Sequence, residues 1–110
     1  MTRTRTDLLQ GTLDLIVLRL LRGGPANGWD ITQSIQVVSK GALEVNYGSV
    51  YPALRRLEAR GLVSAHWSAS ENNRRARYYE LTAAGRKQLA VERTEWERFS
   101  EALGLILRTD

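Results

Sequence analysis

The stretch from Asn46 to Tyr79 constrains the fold more than any other part of the chain. Val50, Ala53, Leu54 and Leu57 fall at helical spacing and form one apolar stripe. A helical wheel puts Gly48, Pro52, Arg55, Arg56 and Ala59 on the opposite side, with Ser49 and Tyr51 on the flanks. Gly61 stands where a helix stop is expected, because glycine takes the left-handed conformation that ends a last turn. Leu62–Ser68 and Ala76–Thr82 then read as two short strands, joined by a polar turn over Ala69–Arg75. A helix with a basic outer face, followed by a hairpin with a basic tip, outlines a winged helix-turn-helix.

Charge follows the same outline. Residues 46–77 carry six arginines against Glu58 and Glu71, a net of +4, which equals the net charge of all 110 residues. The flanking segments, 1–45 and 78–110, come to +1 and −1. Concentrated arginine suits a polyanion, because the guanidinium bonds phosphate oxygens in a fixed fork. A solvated surface is the plainer account of charge alone. Its coincidence with a helix-and-hairpin outline favours nucleic acid. A chain of 110 residues, 43% apolar and 25% charged, has room for one domain with a modest core. It has no cysteine, which excludes disulfides, cysteine metal sites and thiol nucleophiles, and is compatible with a cytoplasmic protein.

The amino terminus imitates a targeting signal, with Arg3 and Arg5 ahead of an apolar run from Leu8 to Leu21. Asp14 and Arg19 interrupt the run, no small-residue cleavage site follows, and it is shorter than the roughly 20 residues that span a bilayer. It reads instead as a helix to Arg22, with Asp7 and Gln10 in a capping box after a polar, disordered start. Leu9, Leu13, Ile16, Val17 and Leu20 form one stripe, which Leu8, Leu15, Leu18 and Leu21 widen beyond a single face. Such a helix needs cover on more than one side, from a partner chain or from dense packing in its own domain.

Gly23–Gly28 is a turn, and Ile31, Ile35 and Val38 mark an amphipathic helix over Trp29–Ser39. Ala42–Val45 is an extended piece expected to join the wing as a third strand. Asn46 or Ser49 caps the basic helix, and a cap at Asn46 leaves Pro52 deep enough to distort the helix near Gly48. Thr82 caps a long last helix on which Leu89, Trp96, Phe99, Leu103 and Ile106 recur at spacings of seven, three, four and three. That is a coiled-coil-like seam, interrupted by Glu92. A helix of about 25 residues is roughly 37 Å long, too long for one small domain to cover. The expected architecture is mainly α with a small β-hairpin: a winged domain over 7–81 and a dimerisation helix over 82–110. The dimer contacts expected are Leu9, Leu13, Leu89, Trp96, Phe99, Leu103 and Ile106.

Catalysis finds little support. His66 is the only histidine, set in a strand beside Trp67, and no carboxylate pair or metal-ligand cluster has supporting spacing. Gly23-Gly24 and Gly48 match no phosphate-cradling loop, and no cofactor motif occurs. DNA binding has a mechanism. The basic helix would enter the major groove with Arg55 and Arg56 at guanine edges or flanking phosphates. Asn46, Ser49 and Tyr51 can bond bases or phosphates, and Arg74, Arg75 and Arg77 suit phosphates or the narrow minor groove. Tyr78 and Tyr79 alternate across their strand, so one faces the core and the other does not. The rival from another class is a winged helix used for protein association, its arginines merely solvating. RNA binding lacks an aromatic stacking platform on a sheet face.

Ser49-Val-Tyr-Pro-Ala-Leu-Arg-Arg-Leu-Glu-Ala-Arg-Gly-Leu-Val63 and Asn73-Arg-Arg-Ala-Arg-Tyr-Tyr-Glu-Leu-Thr82, followed by Gly85, resemble the PadR family of bacterial transcriptional regulators. Leu9–Leu15 and Gly28–Ile31 fit as well, so the resemblance runs from about residue 8 to the end. It implies a DNA-binding winged helix, usually dimeric and usually a repressor, with some members sensing small molecules. Carried onto this chain, Val50-Tyr51-Pro52 and the Arg74–Arg77 wing face DNA. With the helix start this gives Asn46, Tyr47, Ser49, Tyr51, Pro52, Arg55, Arg56, Arg74, Arg75 and Arg77 as candidates. Some small members bind flat aromatic compounds between dimer-facing tryptophans, which makes Trp96 and Phe99 candidate effector contacts. A large anchor in the dimer core is the commoner use of such a tryptophan. The chain lacks the larger carboxy-terminal domain that longer members carry, so a dedicated effector pocket is not expected.

Overall fold

The computed structural model describes residues 5–109, with side chains from residue 11 onward. Leu9 and the Asp7–Gln10 capping pair therefore lie outside the described side chains, and residues 1–4 outside the described chain. The elements are α1 (Arg5–Leu21), β1 (Ala26–Asn27), α2 (Gly28–Val38), α3 (Tyr47–Ala59), β2 (Val63–Ala69), β3 (Arg75–Leu81) and α4 (Ala83–Leu107). The three strands form one antiparallel sheet in the order β1-β3-β2.

α3 forms where its apolar stripe requires, and Val50, Ala53, Leu54 and Leu57 are fully buried. Asn46 is the cap, its side chain accepting the Ser49 N–H at 3.0 Å. Pro52 denies the Gly48 carbonyl its N–H partner. Gly48 is exposed, so water can take that bond, and the helix continues unbroken from Tyr47 to Ala59. Gly61, at φ 73°, ends the segment in the left-handed conformation expected of it.

The third strand differs from expectation. Residues 43–46 are neither helix nor strand, and Ala26–Asn27 pairs with Tyr79 and Tyr78 instead. A two-residue strand has too few positions to show alternation. Asn27 has a second role that the turn-like sequence hides: its side chain accepts the Asp30 N–H at 2.8 Å and starts α2. α1 begins at Arg5, ahead of the expected Asp7 cap, and ends at Leu21.

The core joins Leu13, Val17, Leu18 and Leu21 of α1 to Ile31, Ile35, the α3 stripe, Leu62, Val63, Tyr79, Leu81 and Leu89. Thr82 turns the chain into α4: it donates to the Gly61 carbonyl at 2.8 Å and accepts the Gly85 N–H at 3.0 Å. Gly85 is needed here, because a Cβ would overlap the Leu62 carbonyl. Beyond Ala90, α4 leaves the core, and from Val91 to Thr109 only Glu92 and Gly104 are not exposed. The molecule measures 56 × 29 × 28 Å, drawn out along one axis. No helix among the described residues is long and apolar enough to cross a membrane.

Candidate nucleic-acid interface

The solvent side of α3 carries a row at i, i+4 and i+8. Tyr47 and Tyr51 meet with ring centroids 6.0 Å apart, and Arg55 donates from Nη1 to the Tyr51 hydroxyl at 3.1 Å. The Arg55 guanidinium carbon lies 5.8 Å from the Tyr51 ring centre. That hydroxyl holds the Arg55 pKa above its ordinary value, so the group stays cationic. Ser49 and Pro52 are exposed beside this row, and Asn46 is occupied as the cap. The sequence-derived candidates on the early turns of α3 thus share one surface.

The last turn behaves differently. Arg56 donates side-on to Asp14 of α1, Nη2–Oδ1 2.7 Å and Nε–Oδ2 3.3 Å. Arg56 was expected at a guanine or phosphate. The structure turns it back onto the body of the domain, because its carboxylate partner lies across the α1–α3 contact. Glu58 accepts from Arg77 of β3 at 2.8 Å, and Arg60 approaches Glu92 of α4 at 4.0 Å. Residues 56, 58 and 60 thus tie the helix to three different elements.

The wing is a register-exact hairpin from Val63↔Leu81 to Ala69↔Arg75. Asn73, at φ 57°, and the Ser70 N–H to Arg74 carbonyl bond of 2.7 Å close its tip. Arg74 and Arg75 are exposed, and Arg75 stacks over Trp67 at 5.3 Å. Arg77 is half-buried between its Glu58 partner and the Tyr79 ring. Tyr79 is the inward tyrosine, 2% exposed, and its buried hydroxyl has no hydrogen-bond partner among the described residues. Burial raises its pKa above the ordinary tyrosine value. Tyr78 faces outward and stacks with His66, centroids 6.2 Å apart.

Between the starts of α2 and α3 and the wing lies an open cleft of about 600 Å³. Its walls include Trp29, Trp67, Tyr47, Tyr51, Arg74 and Arg75. Sequence reasoning missed both tryptophans here, since neither lies on the basic helix, and only strand alternation could have set Trp67 with Arg75 and Arg77. Among the described residues no group of His, Cys, Asp or Glu is arranged to hold a metal.

The expected dimer contacts separate into two sets. Leu13 and Leu89 are 8% and 5% exposed and belong to the chain's own core, though Leu89 also borders a groove beside α1. Trp96, Phe99, Leu103 and Ile106 are exposed on the outlying part of α4, with Trp96 and Phe99 rings 5.7 Å apart. That groove, of about 370 Å³, reaches this row at Trp96, lined also by Leu15, Ile16 and Leu20 of α1, Val38 and Leu43. The all-round apolar α1 thus spends one side in the core and leaves another side along this groove.

An exposed recognition helix beside an arginine-bearing wing defines a winged-helix DNA-binding protein. The chain belongs to the PadR-like family of transcriptional regulators, whose model matches residues 17–91. It is similar to a transcriptional regulator of Clostridium thermocellum, at 25% identity and TM-score 0.83 over 96% of this chain and 100% of that one. A PadR-like transcription factor of Bacteroides fragilis matches at 29% identity and TM-score 0.76, over 93% and 96% of the two chains. An uncharacterised protein of Lysinibacillus sphaericus is 26% identical over 94% of each chain.

Proposed function

We propose that the chain is a dimeric repressor that reads an inverted-repeat operator with α3 and steadies itself with the wing. The observation that carries this reading is the Tyr47–Tyr51–Arg55 row on the open side of α3, next to Arg74 and Arg75. In a helix-turn-helix the second helix enters the major groove, where an arginine is the commonest reader of guanine. Arg55 takes that part. Ser49, Tyr47 and Tyr51 reach bases or phosphates at the helix start. Arg74 and Arg75 meet phosphates flanking the site. Arg56 and Arg77 serve first as braces, to Asp14 and Glu58.

On this reading residues 7–81 read DNA and residues 82–110 pair the chains, in the cytoplasm where the DNA is. The dimer is supported by the exposed apolar row from Trp96 to Ile106, which meets the groove beside α1 at Trp96. An unpartnered apolar surface of this kind marks an association site. Two-fold pairing presents two copies of α3, with half-sites one helical turn apart or a multiple, about 34–36 Å per turn. Trp96 and Phe99 are first of all anchors in that pairing. A flat aromatic effector wedged between the two arms would alter the spacing of the recognition helices, provided it favours one spacing by several kcal/mol.

Sedimentation and duplex binding test the reading together. The full chain sediments as a dimer at micromolar concentration and retains duplexes chosen from a randomised pool as inverted repeats. Replacing Arg74 or Arg75 by alanine weakens all duplexes alike and lowers the slope against log salt by about one. A monomer, or variants that bind like wild type, would sink it.

A further inference from the structure

We propose that the cleft between α2, the start of α3 and the wing grips one strand of the duplex between two tryptophan jaws, Trp29 and Trp67. The inference rests on the DNA-binding reading and adds a contact that reading does not use. Trp29 stands on the first turn of α2 and Trp67 on β2, and both line the same cleft. They are 62% and 58% exposed, and neither belongs to the core cluster. Large indole rings left in water without a packing role mark a surface made to be covered.

The lining identifies the occupant. Arg74, Arg75 and Arg77 are opposed there by Asp30 and Glu71, and Arg77 is shared with Glu58 outside the lining. Charge alone therefore holds a phosphate only weakly in this cleft. What the cleft offers in quantity is aromatic surface: Trp29, Trp67, Tyr47 and Tyr51. The component of a duplex backbone that suits aromatic faces is the deoxyribose, whose C–H surface is apolar, with a phosphate on either side. Arg75 is already stacked on Trp67 at 5.3 Å, which fixes a guanidinium beside the ring where such a phosphate would pass. The cleft also lies where the strand must run if α3 enters the major groove and the wing reaches the neighbouring minor groove. Sugar and phosphate contacts fix position without reading sequence. Trp29 and Trp67 are accordingly positioning residues, and Arg55 remains the reader.

The test uses the full chain, a duplex selected by the protein from a randomised pool, and an unselected duplex. Trp29→Ala and Trp67→Ala each weaken both duplexes by about tenfold, near 1.4 kcal/mol, with the ratio between them unchanged. Two further proteins keep one jaw as the sole tryptophan, Trp29→Phe/Trp96→Phe and Trp67→Phe/Trp96→Phe. Their emission shifts and is quenched when either duplex is added, whereas Trp29→Phe/Trp67→Phe, which keeps only Trp96, shows no quenching. Wild-type affinity in both alanine variants, with emission of the jaw tryptophans unmoved, overturns the inference. In that case a loss of binding in Arg55→Ala leaves the DNA-binding reading standing. Failure of the wild-type chain to bind any duplex overturns both.

Discussion

The early turns of α3 and its last turn are built from similar residues and do opposite things. Its early turns present Tyr47, Tyr51 and Arg55 in one row on the open side, with the Tyr47 ring against Gly28 of α2. Its last turn and cap spend Arg56, Glu58 and Arg60 on α1, β3 and α4 in turn. Arg55 and Arg56 are adjacent and chemically identical, and the hundred-degree step of the helix separates a reader from a brace. A recognition helix must be both accessible and held still. The chain meets the two demands by placing both kinds of residue on one helix rather than on separate helices.

The largest change expected is at the stripe both parts share. Leu54→Ala opens a cavity at a fully buried position and should lower stability by about 2–5 kcal/mol, measured by urea unfolding. If the loss is below about 1 kcal/mol, α3 is not anchored as described. Next comes the brace itself. Asp14→Ala strands Arg56 in a partly covered site and should cost about 1–3 kcal/mol in unfolding. Unselected duplex should still bind the folded variant with wild-type salt dependence, because Asp14 lies away from the cleft lining.

Smaller still is Tyr79→Phe, which probes the floor beneath the early turns. The Tyr79 hydroxyl is buried without a partner among the described residues, so its removal should leave stability unchanged or slightly raised. Burial raises the Tyr79 pKa in the folded chain, so the folded state holds its proton longer than the unfolded one. Stability from this group is therefore complete below about pH 10, the ordinary tyrosine value, and declines as pH climbs from there through the folded value. Melts taken at rising alkaline pH should show a decline in wild type that is reduced in Tyr79→Phe. Identical decline in the two proteins would place the titration elsewhere.

Much of this division was legible beforehand. The stripe Val50–Leu57, the Gly61 stop, the Thr82 cap and the outlying apolar row on α4 all follow from local spacing, because each depends on residues within a turn or two. The unread parts depend on distant partners. Nothing local distinguishes Arg56 from Arg55, since Asp14 lies 42 positions earlier in the chain. Leu13 and Leu89 fit a dimer seam by spacing, yet the α1–α4 packing draws them into the core. Ala26–Asn27 reads as turn because its strand character comes wholly from β3, and Tyr79 becomes the inward tyrosine only once that pairing sets the sheet face. Trp29 and Trp67 come to line one cleft only when the wing folds beside the start of α2.

The most direct test sets the two neighbouring arginines side by side. Arg55→Ala and Arg56→Ala each remove one positive charge from the same helix, so a purely electrostatic surface predicts equal effects. Each variant would be melted and titrated with the selected duplex and with an unselected one. The division of roles on α3 predicts that Arg55→Ala loses about 1–3 kcal/mol of affinity for the selected duplex, with relaxed specificity and an unchanged melting temperature. Arg56→Ala should show a lowered melting temperature and, while folded, near-normal discrimination between the duplexes. Loss of discrimination in Arg56→Ala at an unchanged melting temperature, with Arg55→Ala binding like wild type, would contradict the account.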